Sequence, residues 1–597
     1  MNDSAWYCSD FRVEAGASRE GLGDSSYPSR TRNCGLGWEC LLLASMAAAA
    51  YLAGADRYDL LTDDEIRYAE AGRQMLRRGD WIVPVYNGEP RYQKPLLVYW
   101  LQALSQACFG SNAFAARIPS AVAAAVTLWA TGNIARTMWD HATARWTILI
   151  LATMFEFVLL ARMVLIDMIL VACLQVSHAA WLSAWCSTND RRRTWWYRLS
   201  SFALGGAICA KGPIALVLFA FLLIPWLVLV PWLRKRSALP SDADTRTDGH
   251  ASPSWRPVPI VSGIVLAALL GLPSYLLPHW RTAGQFTWQF LLTENWQRLT
   301  SVVNEHPQPW WFYLALLVPM SFPWTGAIAS AVSLAWHSRT GAQDWRGLFP
   351  LVLLGHIILI FTFFTLSQTK VWTYTFPAFP SLALLIAYWL VQMQQNQPRL
   401  LLRRFRQALG FGTWPVIAAV WAFTFWPESR LPEEVRVPEF LSAVRWWSWC
   451  LALMLLAGWL VSLVLTNPRT ILAYLVVGTL TLYALAVFHV LPAADRMWNE
   501  PVRQVADYWQ RYPEAEVVTY HVHELGLNFL ARRDLVHHWR REALSDLYER
   551  LQNPAPVLVL ADTRLVHHLH GLPIHIWHKN NRFVLLANFS PPQVQTD

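Results

Sequence analysis

Charge is scarce in this chain: only 15% of its 597 residues are Asp, Glu, Lys or Arg, against 54% hydrophobic residues. Patterned cysteine is lacking too. The eight Cys are scattered, with no CxxC pair and none after Cys450, which argues against a zinc site or a disulfide framework. Residues 1–38 hold no succession of basic, apolar and small-residue regions, so no cleaved leader is indicated and the first apolar segment, near Glu39 to Ala55, reads as a retained anchor. Alternation of period two is missing from the long apolar runs "IVSGIVLAALLGLPSYLL" and "LVLLGHIILIFTFFTL", which excludes a membrane β-barrel. The net charge of +9 raises nucleic acid as a partner. Most of the Arg, however, lies in short stretches between apolar runs, where positive charge sets membrane orientation, so no nucleic acid is implied.

What is present is a series of nearly charge-free runs, 35 Trp and a mean hydropathy of +0.25. These predict a mostly α, polytopic membrane protein. Runs long enough to cross lie near 39–55, 113–135, 146–165, 168–186, 199–211, 213–233, 258–278, 309–335, 347–366, 371–390, 411–427, 445–466 and 470–491, about thirteen spans. The segment from Leu96 to Gly110 is shorter and carries Gln102, Ser105 and Gln106, so it is expected to lie in the interface. With that segment excluded and residues 1–38 a cytoplasmic tail, the clusters Arg191–Arg193, Arg234–Arg236 and Arg403–Arg406 all fall inside. Loops 56–112 and 279–308, the turns around Asp167, Lys211 and Lys370, and the region 492–597 then fall outside. That last region alternates apolar strands ("EAEVVTYHV", "APVLVLAD", "RFVLLANF") with the helix "ALSDLYERLQ", the pattern of a small α/β domain.

The charged exception is "LLTDDEIRYAEAGRQMLRRGDWIVPVYNGEPRYQKP", Leu60 to Pro95. Thr62 or Asp63 suits a helix N-cap, acids fill the first turn and Arg77 and Arg78 the last, matching the helix dipole. The apolar face of Ile66, Ala69, Met75 and Leu76 is weak, which reads as a surface helix resting on the bilayer. Asp64 and Glu65 nonetheless stand at the mouth of the first span, where a carboxylate can meet a substrate delivered from lipid.

Asp64-Glu65, Arg67-Tyr68-Ala69-Glu70, Gly79-Asp80-Trp81, Lys94-Pro95 and Tyr99-Trp100 occur in one order with "ARMVLID", "AKGP", "ENWQRL", "HPQPWWFY" and "FFTLSQTKVWTYTFPAFP". In these the chain resembles the lipid-linked sugar transferases of the GT-C class. Within that class it is similar to bacterial 4-amino-4-deoxy-L-arabinose transferases of lipid A and, more distantly, to protein O-mannosyltransferases. The resemblance implies a GT-C catalytic domain over 39–491. It also implies an inverting transfer from an undecaprenyl-phosphate-linked sugar to lipid A or another envelope glycan, at the periplasmic face of the bacterial inner membrane and among its lipids. Asp64 is then the principal catalytic carboxylate, with Asp167 the second acid and Glu65 beside them. Lys94, Lys211, Arg298, Lys370 and Tyr374 are implied to hold the donor phosphate, and Arg67, Tyr68 and Tyr92 to contact substrate. The chemistry fits these residue types, because breaking a sugar to phosphate bond leaves an anion that cations hold and an oxocarbenium-like sugar that carboxylates face. Lys211, a lone ammonium between two apolar runs, needs an anion or a headgroup to snorkel toward.

No cofactor is firmly implied. The residue before the Lys-Pro pair, often a Glu able to help bind a divalent ion in the resembling transferases, is Gln93 here, and an amide is a poor ligand for a hard metal. The tail histidines His521, His523, His537, His538, His567, His568 and His570 offer zinc ligands on shared strand faces, or only surface imidazoles. Three other readings remain at this stage: a protein O-mannosyltransferase, a lipid or glycan flippase, and a scaffold. A flippase calls for internal repeats and midplane charges. The charges here gather at one rim.

Overall fold

The computed structural model describes residues 38–236, 260–297, 300–301, 308–341, 345–430, 437–465, 467–520, 526–532, 537–539, 544–563, 574–579 and 583–589. Arg298, His521, His523, His567, His568, His570 and the expected tail 1–37 lie outside them. Helices dominate. In chain order they are α1 Trp38–Leu52, α2 Asp63–Arg78, α3 Leu97–Phe109, α4 Ala113–Met138, α5 His141–Thr153, α6 Phe155–Arg162, α7 Ile166–Trp185, α8 Asp190–Lys211, α9 Ile214–Arg236, α10 Ile260–Gly271, α11 Pro273–Arg281 and α12 Gln285–Trp288. They continue as α13 Phe312–Met320, α14 Ile328–Gly341, α15 Phe349–Leu366, α16 Phe379–Asn396, α17 Pro398–Thr424, α18 Pro438–Val464, α19 Pro468–Leu485, α20 Leu491–Arg511, α21 Gly526–Ala531 and α22 Leu544–Gln552.

Among the described residues six helices are long and apolar enough to cross a membrane, and nine when each bent pair counts as one span. The bends are 66° between α5 and α6, 45° between α10 and α11, and 113° where α13 turns toward α14. Pro273 opens α11 and Pro319 interrupts α13, each removing a backbone donor where the axis breaks. The remaining members of the thirteen expected segments are helical too. Two of them, α1 and α9, are shorter apolar helices. The other two, α8 and α17, begin in Arg-rich turns that lower their hydropathy. The chain is thus a multi-pass helical membrane protein, with α7 packed along both α4 and α8 at its centre.

Two regions depart from a simple bundle. The first is α2 with α3. Although α2 has little apolar surface, Tyr68 through Met75 are buried, against the expectation of a helix lying loosely on the bilayer. The polar members are satisfied internally, Glu70 accepting from Arg73 Nε and Nη2 and from Gln74 Nε2, each at 2.7 Å. Thirteen residues are too few to span, and α3 instead lies between α2 and α4. Its amides serve as ties: Gln106 Nε2 donates to Ala69 O and Gln102 Nε2 to Ala116 O, both at 2.8 Å, and Ser105 Oγ donates to Ala115 O. Gly72 permits the contact, since a Cβ there would sit 2.5 Å from Gln102 Cβ.

The second region is C-terminal. Beyond the short hairpin of β1 Val85–Tyr86 and β2 Glu89–Pro90, strands β3 Glu516–Tyr520, β4 His537–Trp539, β5 Val557–Asp562, β6 His575–Lys579 and β7 Phe583–Ala587 form one sheet in the order β4-β3-β5-β7-β6. The pairs β3–β4 and β3–β5 are parallel, while β5–β7 and β6–β7 are antiparallel. Alternate residues serve opposite faces. Leu558, Leu560, Phe583 and Leu585 meet Val502, Val505 and Trp509 of α20, whereas Val559, Val584 and Leu586 meet Leu547 and Leu551 of α22. The three expected strands are present, and the two edge strands are His-rich segments whose polarity hid them. Helix runs unbroken from Pro468 through a π-helical stretch, Ala486–Val490, to Arg511, so the expected boundary near 491 falls inside one rod.

Candidate active site

The start of α2 is fixed by a capping box. Thr62 Oγ1 accepts from Glu65 N, and Glu65 Oε2 accepts from Thr62 N and Leu61 N at 3.3 Å. The other carboxylate oxygen, Glu65 Oε1, accepts from Val164 N at 3.1 Å. Glu65 is buried with both oxygens occupied, so it ties α2 to the segment leading into α7 rather than facing a substrate. Asp64, one residue earlier, points out: its side chain is 57% exposed and its nearest cation is Arg67, 3.8 Å away. The same guanidinium lies 3.6 Å from Asp63.

Behind Asp64 sits a buried aromatic and cationic layer. The Arg91 guanidinium stacks over the Tyr68 ring at 5.5 Å, and Arg91 Nε donates to Tyr99 Oη at 2.9 Å. Burial pushes both phenols up, Tyr68 well above its ordinary value with the charge of Asp64 adding to the effect. Both therefore remain hydroxyl groups at neutral pH. The charges of Asp64 and Asp167 both raise Tyr68 further.

Asp167 occupies the first turn of α7 and Lys211 the last residue of α8, and the two close an ion pair. The anion that the lone ammonium required is supplied by the chain itself. Lys211 Nζ also lies 5.1 Å from the centre of the Tyr374 ring, in the 3₁₀ turn Trp372–Ala378. Nearby in sequence, Lys370 is buried and donates to Ser367 O at 2.8 Å. Lys94 pairs with Glu294 at 3.0 Å, linking the Lys-Pro segment to the π-helix Gln289–Gln297. Tyr92 meets Phe286 edge-on at 6.2 Å.

The structure therefore joins Asp167, Lys211 and Tyr374 directly and brings the Asp64 layer to them through Glu65 and Tyr68. Lys94 and Lys370 stand on flanking elements, each with its own partner. Sequence reasoning passed over Arg91, Glu294 and Arg503. The first two lie inside quoted motifs, "RYQKP" and "ENWQRL", as unassigned charges in an apolar chain. Arg503 gave no such signal. It donates to Asp59 Oδ2 at 2.7 Å and Asp495 Oδ2 at 2.8 Å, while Asn499 Nδ2 donates to Leu60 O at 3.0 Å, so α20 holds the loop before α2. Arg117 holds the same loop from below through the carbonyls of Ala55, Tyr58 and Asp59.

A cleft of about 1140 Å³ opens where segment 79–92 faces the ends of α11 and α12. Of the expected site residues it includes Tyr92. Its other polar lining residues include Arg78, Asp80, Arg281 and Gln285. The cleft is adjacent to the carboxylate cluster and separate from it.

Comparison with known proteins places this geometry. Residues 38–287 match the family described as dolichyl-phosphate-mannose-protein mannosyltransferase. The chain is 32% identical over 358 residues to an undecaprenyl phosphate-alpha-4-amino-4-deoxy-L-arabinose arabinosyl transferase of Pseudomonas aeruginosa strain LESB58, over 59% of this chain and 60% of the relative. The chain thus spans about 60% of the length of that curated relative. A Pseudomonas fluorescens transferase of the same description is 29% identical over 472 residues, 76% of each chain. The crystal structure of ArnT from Cupriavidus metallidurans bound to undecaprenyl phosphate superposes with a TM-score of 0.74 at 20% identity, covering 92% of this chain and 98% of that one. The chain resembles the GT-C sugar transferases in sequence and shares their fold.

Gln93 puts a neutral amide, a poorer ligand for a hard divalent ion than a carboxylate, before the Lys-Pro pair, and its buried Oε1 has no hydrogen-bond partner among the described residues.

Proposed function

We propose that the protein is an inverting glycosyltransferase that moves 4-amino-4-deoxy-L-arabinose from undecaprenyl phosphate to lipid A, at the periplasmic face of the bacterial inner membrane. The observation that carries the reading is the meeting of Asp167, Lys211 and Tyr374 behind an outward-pointing Asp64, on a fold shared with an undecaprenyl-phosphate-bound relative. The names of the relatives support the sugar and carrier.

In this reading the bond between the sugar anomeric carbon and the carrier phosphate oxygen breaks, its electron pair leaving on the phosphate. An acceptor oxygen forms the new bond from the opposite face. A lipid A phosphate is already ionised and attacks without losing a proton, so Asp64 orients acceptor and sugar and faces the positive charge that develops on the ring. An ammonium carries several donors, so Lys211 can keep Asp167 and still offer N–H groups to the departing phosphate. Lys94, Lys370, Tyr374 and Arg298 are the further phosphate contacts in this scheme, Arg67, Tyr68 and Tyr92 the substrate contacts, and Glu65 a positioning residue. Charge-assisted contacts of this kind contribute most where charge accumulates in the transition state.

The family match over 38–287 favours a second reading, transfer of a mannose from a polyprenyl phosphate to a protein hydroxyl. There Asp64 removes the hydroxyl proton as general base. Mass spectrometry of lipid A from cells with and without the protein separates the two, since the first reading requires an added aminoarabinose and the second leaves lipid A unchanged. Asp64→Asn is expected to abolish transfer while the purified protein keeps its elution profile, because the change removes charge and almost no volume. Undiminished transfer by this variant would remove the central residue of the scheme.

A further inference from the structure

Apart from Tyr92, the lining of the cleft beside the carboxylate cluster has no part in the chemistry above, and its two Arg charges have no internal explanation. Arg78 ends α2 and Arg281 ends α11, and both are exposed and line the cleft. Neither guanidinium has a side-chain hydrogen bond or ion pair among the described residues. Asp80 is the single acid among the lining residues, and its Oδ1 already accepts from Ile82 N and Val83 N. Two aromatic side chains complete the walls. Trp81 is 39% exposed, its carbonyl held by Trp100 Nε1 at 2.8 Å, and Tyr92 is braced by Phe286. Two unpaired guanidiniums between the exposed Trp81 and the half-buried Tyr92 form a cationic trough suited to a phosphorylated saccharide, the rings lying against sugar faces and the forks against phosphate oxygens.

We propose that this cleft seats the non-reacting phosphate of an extended glycolipid acceptor carrying phosphate monoesters at both ends. The proposal rests on the transferase reading and deepens it. Position argues for the non-reacting end: Arg78 follows Asp64 by fourteen residues of one helix, about 21 Å at 1.5 Å per residue. Tyr92 connects the two places, because the residue before it, Arg91, stacks on Tyr68 behind Asp64 while Tyr92 itself lines the cleft. An acceptor bridging that gap uses binding energy at one end to orient a phosphate at the other. A protein hydroxyl or a singly charged acceptor gives the trough nothing to hold.

The same phosphate chemistry is present in bulk anionic headgroups, so the test is run in nanodiscs of neutral lipid. Arg78→Gln and Arg281→Gln, alone and together, are assayed with undecaprenyl-phosphate aminoarabinose as donor. The acceptors are bisphosphorylated lipid A and the monophosphoryl form that keeps the reacting phosphate. Each single variant is expected to raise the KM for bisphosphorylated lipid A about tenfold, with donor KM unchanged. The KM of the double variant should approach the wild-type value for the monophosphoryl acceptor, and Arg→Lys at either position should recover part of the loss. An unchanged acceptor KM in the double variant overturns the proposal, as does an equal loss with both acceptors. It also fails if adding phosphatidylglycerol to the nanodisc erases the difference between wild type and variant, since bulk headgroups then occupy the cleft. Lipid A binding without donor is measured in parallel. Binding that the double variant loses, in a wild type that transfers nothing, would sink the transferase reading and leave the cleft as the anion site.

Discussion

At the scale of single residues, Lys211 shows how far chain chemistry reads and where it stops. A lone ammonium flanked by apolar runs demands an anion, and that demand is visible in "AKGP" alone. That its partner is Asp167 is a fact of packing between α7 and α8, which sequence separation does not reveal. The pair sets up a test. Lys211→Ala leaves a carboxylate whose side chain is only 9% exposed without its counter-ion, at a cost of about 3 kcal/mol, whereas Lys211→Ala with Asp167→Asn removes both charges. The double variant should unfold at a higher temperature than Lys211→Ala in detergent, while both lose about tenfold to a hundredfold in carrier affinity. Additive losses of stability would mean the two groups do not act as a pair. Glu65 illustrates the opposite limit. Its place beside Asp64 made it a candidate for chemistry, but both of its oxygens are taken by backbone donors.

Among the elements, the helical segments were legible because apolar length is a direct requirement of the bilayer, and the central strands because short continuous apolar runs, buried on both faces, mark them. The packing of α2 was not. Its interior face carries Glu70, Arg73 and Gln74, which pair with one another, so few apolar residues marked it and polarity concealed burial. Gly72 at the crossing with α3 provides the check. A Leu there meets Gln102 where even a Cβ stands 2.5 Å away, forcing the helices apart and stranding the Gln106 to Ala69 tie. Gly72→Leu is expected to cost roughly 1–3 kcal/mol and lower the thermal midpoint by several degrees. The comparison is Gly79→Ala at the left-handed C-cap of α2 (φ 68°), which meets no neighbour and should lose less.

For the whole molecule, orientation and the joining of its two parts carry the predictions. Cys108 is exposed at the end of α3, so a membrane-impermeant maleimide should label it in intact spheroplasts, and a reporter fused beyond residue 589 should be active outside. Labelling only after lysis would invert the bundle and move the proposed site to the cytoplasm. The C-terminal region reaches α2 and the segment after it through α20, through α21, where Asn528 Nδ2 donates to Asn87 Oδ1, and through the residue after α21, where Arg73 donates to Arg532 O. Arg503→Ala frees Asp59, and with it the loop before α2, from α20. It should therefore lower kcat about tenfold or more while carrier affinity holds, since the residue positions Asp64 without touching donor. A matched fall in carrier affinity would instead mean that the whole bundle had loosened. The role of this domain was illegible from sequence because each contact spans more than four hundred residues.

That separation has a consequence in time. Asp59 and Arg503 lie 444 positions apart, so at about 5–20 residues per second the ribosome finishes the clamp roughly 20 to 90 seconds after it has made the loop that the clamp secures. Throughout that interval the nascent chain already holds its acids, and later its lysines, with the segment before α2 still untied. In the proposed scheme the site reaches its full rate only once α20 has been made, so a product truncated before Arg503 should transfer more slowly than the whole chain.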